Sequence, residues 1–284
     1  MNKRVVITGM GVISPVGNDV NTFWSNLCDG VCGIDYIKSF PTDNLPVGIA
    51  GIIKDFKAEE YGMDKPFIRK QDLFTQYGVA AAYQAMRQSG LSSKGEDKNI
   101  DPFRLGVYFG SGIGGFATQY REISKMIEDP SGQWISPLFI PTMISNIAAG
   151  HIAILHNAQG PCLDIVTACA TSTNAMGEAF RAIRNGYADA IITGGCENAT
   201  IPIGIVGFAN AKALSRATDP NYASLPFNGN RAGFVMADGS AALVLEEYEH
   251  AKARGAQIIG EMVGYGNTCD AYHSTAPRPD GTTQ

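Results

Sequence analysis

The stretch from position 163 to position 193 constrains this chain most. Residues 163–167 read as a short apolar strand, 171–184 as a helix, and 188–193 as the next strand. Asn185-Gly186 and Gly194-Gly195 bound that last strand. A β-α-β unit commits the polypeptide to a helix crossing over a sheet. The same pattern recurs along the sequence. A strand at 5–9 is closed by Gly9, and a helix at 19–27 carries Asp19 in its first turn. A helix over 72–89 places Leu73, Tyr77, Ala80, Ala81 and Met86 near helical spacing before Gly90. A strand at 105–109 and a flexible Ser111-Gly112-Ile113-Gly114-Gly115 loop precede a long apolar helical run over 140–155. After a polar loop at 218–232 come a strand (239–246), a short helix (247–254) and a strand (257–266). This alternation predicts a layered α/β architecture, with helices on a largely parallel sheet and active residues beyond strand C-termini.

Composition narrows the function classes. With 45% hydrophobic and 17% charged residues in 284, the protein can bury a sizeable core as one large domain or two small ones. The formal net charge of −5, with no long basic run, gives no general attraction to nucleic acid. Six cysteines at irregular spacings, without CxxC pairs, suggest cytosolic thiols and neither a zinc framework nor a disulfide scaffold. The first residues enter a strand-like run with no apolar stretch for export or membrane insertion, so a cytoplasmic protein is expected. The glycine loops Gly9-Met10-Gly11 and Gly110 to Gly115 do not fit GxGxxG, and no Walker lysine follows either. The histidines (His151, His156, His250, His273) lack metal-ligand spacing. His151 and His156 read as packed helix residues and His250 as solvent-exposed. No metal or cofactor is expected.

Cys169 stands between the strand at 163–167 and a helix opening with Thr171-Ser172-Thr173, at a sharp strand-to-helix turn. A thiol there faces the positive end of the helix macrodipole and unpaired N–H donors, which stabilise a thiolate. From its surroundings alone Cys169 is either such a nucleophile or a small buried core residue. The other cysteines read as structural. Cys28 and Cys32 share a helix-to-turn region, Cys162 precedes a strand, and Cys196 follows Gly195 on a strand-exit loop.

Val5-Val6-Ile7-Thr8-Gly9-Met10-Gly11, Gly110 to Gly115 and Thr167-Ala168-Cys169-Ala170-Thr171 together resemble the elongating ketosynthases of the thiolase superfamily, especially the β-ketoacyl-acyl-carrier-protein synthase II group. Gly194-Gly195-Cys196-Glu197, Arg231-Ala232-Gly233-Phe234-Val235 and Asp270-Ala271-Tyr272-His273 extend the match over essentially the whole sequence. The resemblance implies the thiolase-like α-β-α-β-α fold and a homodimer. Residues 1–255 would form the half with the nucleophile, and 256–284 would begin a second half. It implies that Cys169 accepts an acyl group from acyl-carrier protein and that malonyl-carrier protein then condenses with it by decarboxylation, without a cofactor. The Cys169 amide would serve the oxyanion hole. Ile113 and Phe208 would line the acyl pocket, and Lys212, with Lys65 and Arg69, would meet the acidic carrier protein. His273 would support an entrance loop. Asn228 and Ala232 depart from the family pattern, which has an aspartate at the first and an acidic or amide residue at the second. The family's two catalytic histidines, its nearby lysine and its gating loop match nothing here. A polypeptide truncated at its C-terminal end after Gln284 is therefore expected not to condense by itself. Two related readings stay open: a polyketide or aryl-polyene ketosynthase, and a non-catalytic dimer partner.

Overall fold

The computed structural model describes residues 3–283; Met1, Asn2 and Gln284 lie outside the described residues, and with them the first two positions of the N-terminal reading. In sequence order the elements are β1 (Val5–Ile13), α1 (Val20–Cys28), β2 (Ile34–Tyr36), β3 (Ile49–Gly51), α2 (Lys65–Lys70), α3 (Leu73–Ser89), β4 (Leu105–Gly110), α4 (Phe116–Glu128) and α5 (Phe139–Met143). They continue with α6 (Ile147–His156), β5 (Cys162–Leu163), α7 (Thr171–Arg184), β6 (Ala190–Glu197), α8 (Pro202–Asn210), β7 (Gly239–Glu247), α9 (Tyr248–Ala253) and β8 (Gly260–Met262).

Six strands form one sheet in the order β5-β4-β6-β7-β1-β8, and β2 pairs with β3 apart from it. Only β5-β4 and β4-β6 are parallel; β6-β7, β7-β1 and β1-β8 are antiparallel. The sheet is therefore mixed, not largely parallel. Apolar patterning reports which residues are buried and is blind to strand direction. Here the long excursion from β6 through α8 returns the backbone alongside β6 in the opposite sense.

Helices cover both faces. Successive residues of β6 point to opposite sides. A Cβ on Gly195 would meet Ser172 of α7, whereas the Cys196 sulfur lies against Gly78 of α3. The core on the α3 and α6 side contains Phe74, Val107, Phe109, Ile152, Ile192 and Val244. The core on the α7 side contains Tyr108, Phe180, Ile183, Ile191 and Leu245. Burying each such large side chain stabilises the fold by about 1.5–3 kcal/mol.

α3 is the central helix. Asp72 caps it by accepting from the Phe74 amide, and Gly90 ends it in the left-handed region at φ 63°. It presses so closely on β1 that a Cβ on Gly9 or Gly11 would lie 2.0 Å from the carbonyl oxygens of Ala85 and Ala81. β8 pairs with β1 only from Val5 to Ile7, and past that point Met10 N and Val12 N donate to the side chains of Gln88 and Gln84 of α3. The helix thus satisfies a strand edge that would otherwise stay open.

Several sequence expectations are corrected. Asp19 stands before α1 as its cap, accepting from the Thr22 amide, and not inside its first turn. The run at 140–155 is two helices. Met143 O accepts from Gly115 N, so the first helix cannot continue through it, and Ile147 N turns to Ile144 O. The strand at 163–167 is only β5, because Asp164 Oδ1 takes the Ser111 amide and the backbone bends toward Cys169. The strand at 257–266 is only β8, after which Tyr265 leaves the sheet to donate to Asn174 of α7. β6 runs on through Gly194-Gly195. Gly194 has φ 155°, and a Cβ there would lie 2.0 Å from Ala241 O. Cys162 lies in β5 and Cys196 in β6, where the latter is buried. Helix α4 has no counterpart in the sequence reading.

Candidate active site

β4 ends at Gly110 beside Gly195 of β6, and the segments beyond line an open cavity of about 670 Å³. Cys169 is exposed and lines it. The sulfur sits in a single 3-10 turn (Ala168–Ala170) that runs directly into α7. Ala168, just before it, has φ 51°, a left-handed conformation that costs a non-glycine residue about 1–2 kcal/mol. Strain of this kind at a strand-to-helix turn is what lifts a nucleophile clear of the backbone. Thr171 Oγ1 holds the Thr167 amide at 2.9 Å and Asn174 donates to Thr167 Oγ1 at 2.8 Å, which fixes the turn from the helix side. α7 has no cap from a side chain; the 3-10 turn runs into it instead, with the Thr171 amide donating to Ala168 O.

Ile113 and Phe208 line the same cavity as Cys169. Phe208 meets Phe234 edge to face, with ring centroids 5.4 Å apart. Phe234, Val235 and Met236 extend the apolar wall. Sequence reasoning did not single them out, although Phe234-Val235 stood within a quoted motif.

Glu197 and Asp238 line the cavity and Asp164 holds the Ser111 amide beside it, and burial raises the carboxyl of each above its ordinary value. Hydrogen bonds partly oppose that rise. Asp238 accepts from Asn198 Nδ2 and from the amides of Ala199 and Thr200, which ties β7's approach to β6's exit. Glu197 accepts from Ser111 Oγ and Gly112 N. Cys196 touches the cavity, but burial pushes its thiol up and its sulfur faces α3, on the other side of the sheet from α7.

The remaining sequence candidates do not line the cavity. Lys65 and Arg69 lie on α2, the first exposed and the second largely so. Lys212 is exposed, with φ 57°, directly after the helix that carries Phe208. His273 lies in the exposed C-terminal loop, where Nδ1 accepts from the amides of Thr275 and Ala276. His151 packs edge to face on Phe67, and burial holds His156 down at about 4. His250 is not the solvent-exposed histidine expected; it is half-buried and paired with Glu246. Among the described residues no cluster of His, Cys, Asp and Glu is placed to hold a metal, and no helix is long and apolar enough to cross a membrane.

Residues 2–251 match the family described as Beta-ketoacyl synthase, N-terminal domain. The protein belongs to the β-ketoacyl synthase family. The chain is 47% identical over 280 residues to a 3-oxoacyl-[acyl-carrier-protein] synthase 2 of Staphylococcus aureus (strain N315), an alignment covering 99% of this chain and 66% of that one. The protein of the same description from Vibrio cholerae serotype O1 is 47% identical over 281 residues, with the same coverage. The present chain therefore spans 66% of the length of these curated relatives. Among solved structures, a type II polyketide ketosynthase in complex with its acyl-carrier protein superposes with TM-score 0.85 at 30% identity, over 96% of this chain and 65% of that one. The ishigamide ketosynthase/chain length factor gives 0.87 at 28% identity, over 99% and 67%. The fold is accordingly the layered, thiolase-like α/β fold of ketosynthases.

Proposed function

We propose that these 284 residues hold the acyl-accepting part of a β-ketoacyl-acyl-carrier-protein synthase of fatty-acid elongation. One observation carries the reading. Cys169 stands exposed at the N-terminus of α7, on the wall of a cavity that Ile113 and Phe208 make apolar.

In the acyl-transfer step the Cys169 sulfur attacks the thioester carbonyl of acyl-carrier protein. A new C–S bond forms, the old one breaks, and the thiol proton passes to the departing carrier thiol. The Cys169 amide donates to the developing oxyanion, an interaction worth about 2.7–4 kcal/mol in comparable sites. Malonyl-carrier protein then loses CO2, and its carbanion displaces Cys169 to give 3-oxoacyl-carrier protein, longer by two carbons. That second step draws on the family's catalytic histidines, which have no counterpart by motif in these 284 residues, and no histidine lines the cavity among the described residues. The reading assigns acyl transfer to this portion and condensation to the whole synthase.

Lys65, Arg69 and Lys212 are the candidate contacts for an acidic carrier protein, and exposed His273 supports a loop and takes no part in proton transfer. A homodimer is supported by β5, an edge strand with exposed Leu163 beside exposed Val166. Sedimentation at rising concentration tests it, and a persistent monomer removes it. The division near residue 255 is supported by the left-handed Gly255, where α9 gives way to the segment leading into β8. A polyketide acyl group is the second reading, favoured by the polyketide ketosynthase among the structural neighbours. Identity of 47% to the synthases 2, against 30% there, favours the fatty-acid reading. Retention of an exposed Cys169 argues against a non-catalytic partner.

The test is intact mass after mixing the protein with acyl-carrier protein carrying a fatty chain. The expected result is a gain of one acyl group that Cys169→Ala abolishes. Folded protein that gains no mass refutes acyl transfer.

A further inference from the structure

The loop that presents Ile113 to the cavity has little of its own to hold it. Gly112, Gly114 and Gly115 surround Ile113, and a loop so rich in glycine samples a wide range of backbone conformations unless it is tied down. Its ends are fixed by Asp164 Oδ1, which accepts from the Ser111 amide, and by Met143 O, which accepts from the Gly115 amide, and its middle is tied by the last residue of β6. Glu197 Oε1 accepts from Ser111 Oγ at 3.0 Å, and Oε2 accepts from the Gly112 amide at 2.8 Å. Ser111 Oγ in turn accepts from the Gly114 amide at 2.9 Å, so Glu197 holds Ser111 and Gly112 directly and Gly114 at one remove. The approach is close enough that a Cβ on Gly112 would lie 2.8 Å from Oε2.

Glu197 borders the cavity, and each of its carboxylate oxygens accepts from the loop. Ile113 has no comparable anchor of its own: it is 38% exposed. In apolar pockets one methylene changes discrimination by roughly 10–200-fold, so a displacement of the wall by about one carbon's width is enough to alter which acyl groups fit.

We propose that Glu197 is a positioning residue for acyl-group length, setting through loop 111–114 where Ile113 stands in the cavity lined by Cys169. This rests on the acyl-transfer reading above. Its effect is on the ratio of rates for short and long acyl groups, and it acts through Ile113 alone.

Two measurements on this 284-residue chain test it. In the first, Cys169 acylation by octanoyl- and tetradecanoyl-carrier protein is timed by intact mass for wild type, Glu197→Gln, Glu197→Ala, Ile113→Ala and Glu197→Ala/Ile113→Ala. Glu197→Ala is expected to change the octanoyl-to-tetradecanoyl ratio by roughly threefold or more. Glu197→Gln keeps one acceptor oxygen and should change it less. The change should vanish in the Ile113→Ala background, as coupling through one residue requires. Equal slowing of both acyl groups, or a ratio change that survives in Ile113→Ala, overturns the proposal. In the second, hydrogen exchange compares peptides covering 111–114 and 171–184. Glu197→Ala should speed exchange in the first by about tenfold and leave the second unchanged. If the wild type is not acylated by either carrier, the acyl-transfer reading fails, and exchange decides the clamp separately: unaltered protection at 111–114 overturns it.

Discussion

Arg254 reaches back from the end of α9 to the fully buried carboxylate of Glu246, with Nε 2.6 Å from Oε1 and Nη2 2.7 Å from Oε2. Thr8 Oγ1 donates to the same carboxylate from β1 at 2.9 Å. The cluster therefore joins β1, β7 and the segment leaving α9 at one buried point. Removing one partner of such a pair leaves an uncompensated charge, which costs about 3–5 kcal/mol. Arg254→Ala is expected to lower the urea midpoint accordingly, and a loss under about 1 kcal/mol would show that Thr8 and His250 satisfy Glu246 unaided.

The same cluster makes stability depend on pH. Burial would push the Glu246 carboxyl up, but hydrogen bonds from Arg254, His250 and Thr8 outweigh it and hold it below its ordinary 4.5. His250, with Nδ1 2.6 Å from Oε1, is raised above 6.5 chiefly by its hydrogen bond to Glu246; Asp189 adds to the rise, while burial and Arg254 oppose it. A depressed carboxylate contributes stability above 4.5 that is lost as pH falls, and a raised histidine contributes stability below 6.5 that is lost as pH rises through its folded value. The two overlap between 4.5 and 6.5. The gap between wild type and His250→Ala should be widest near about pH 5.5 and close toward about pH 9. An equal gap at both values would mean that His250 acts only by packing.

Glu122 of α4 gives a second, more acid-resistant device. Burial would raise its carboxyl, yet the Ser136 amide, Lys125 and Arg121 together bring it down to about 2. Ser136 N lies 3.0 Å from Oε2, so the side chain pins the segment between α4 and α5. Glu122→Ala leaves that amide unpaired and should cost about 1–3 kcal/mol. Limited proteolysis should then cut first within 129–138. Because the shift is downward, the contribution is fully present above 4.5 and is lost progressively as pH falls from 4.5 to about 2.

Glycines divide sharply by their surroundings. A Cβ on Gly11 would lie 2.0 Å from Ala81 O, in the backbone of α3, whereas one on Gly150, within α6, meets nothing inside 4 Å. Gly11→Ala should drive α3 off β1 and cost at least about 1–3 kcal/mol, the range for overpacking. Gly150→Ala should stabilise by about 0.5–1 kcal/mol through helix propensity. Thermal unfolding of the two variants reads both, and movement in the same direction would contradict the packing described.

Local chemistry was legible where it decides the outcome. Helix α7 and the ends of α3 follow from propensity and from Gly90. The helix start after Cys169 follows from Thr171-Ser172-Thr173, whereas the strand expected to run up to it ends at Leu163. Ile113 and Phe208 were located by resemblance, and no periodicity pointed to them. The His250 expectation failed because a helix surface position reads as solvated until a buried carboxylate is placed four residues away in the same sequence.

The sequence by itself determined the alternation of strand and helix, the left-handed stop at Gly90 and the position of Cys169 at a helix start, because each rests on interactions within a few residues. Tertiary structure alone decided the antiparallel half of the sheet, the break of 140–155 at a carbonyl taken by Gly115, and the tie of Glu197 to Ser111 and Gly112 across 86 and 85 positions. Those depend on hydrogen-bond partners far apart in the sequence, and no local pattern of residues records which of them will meet.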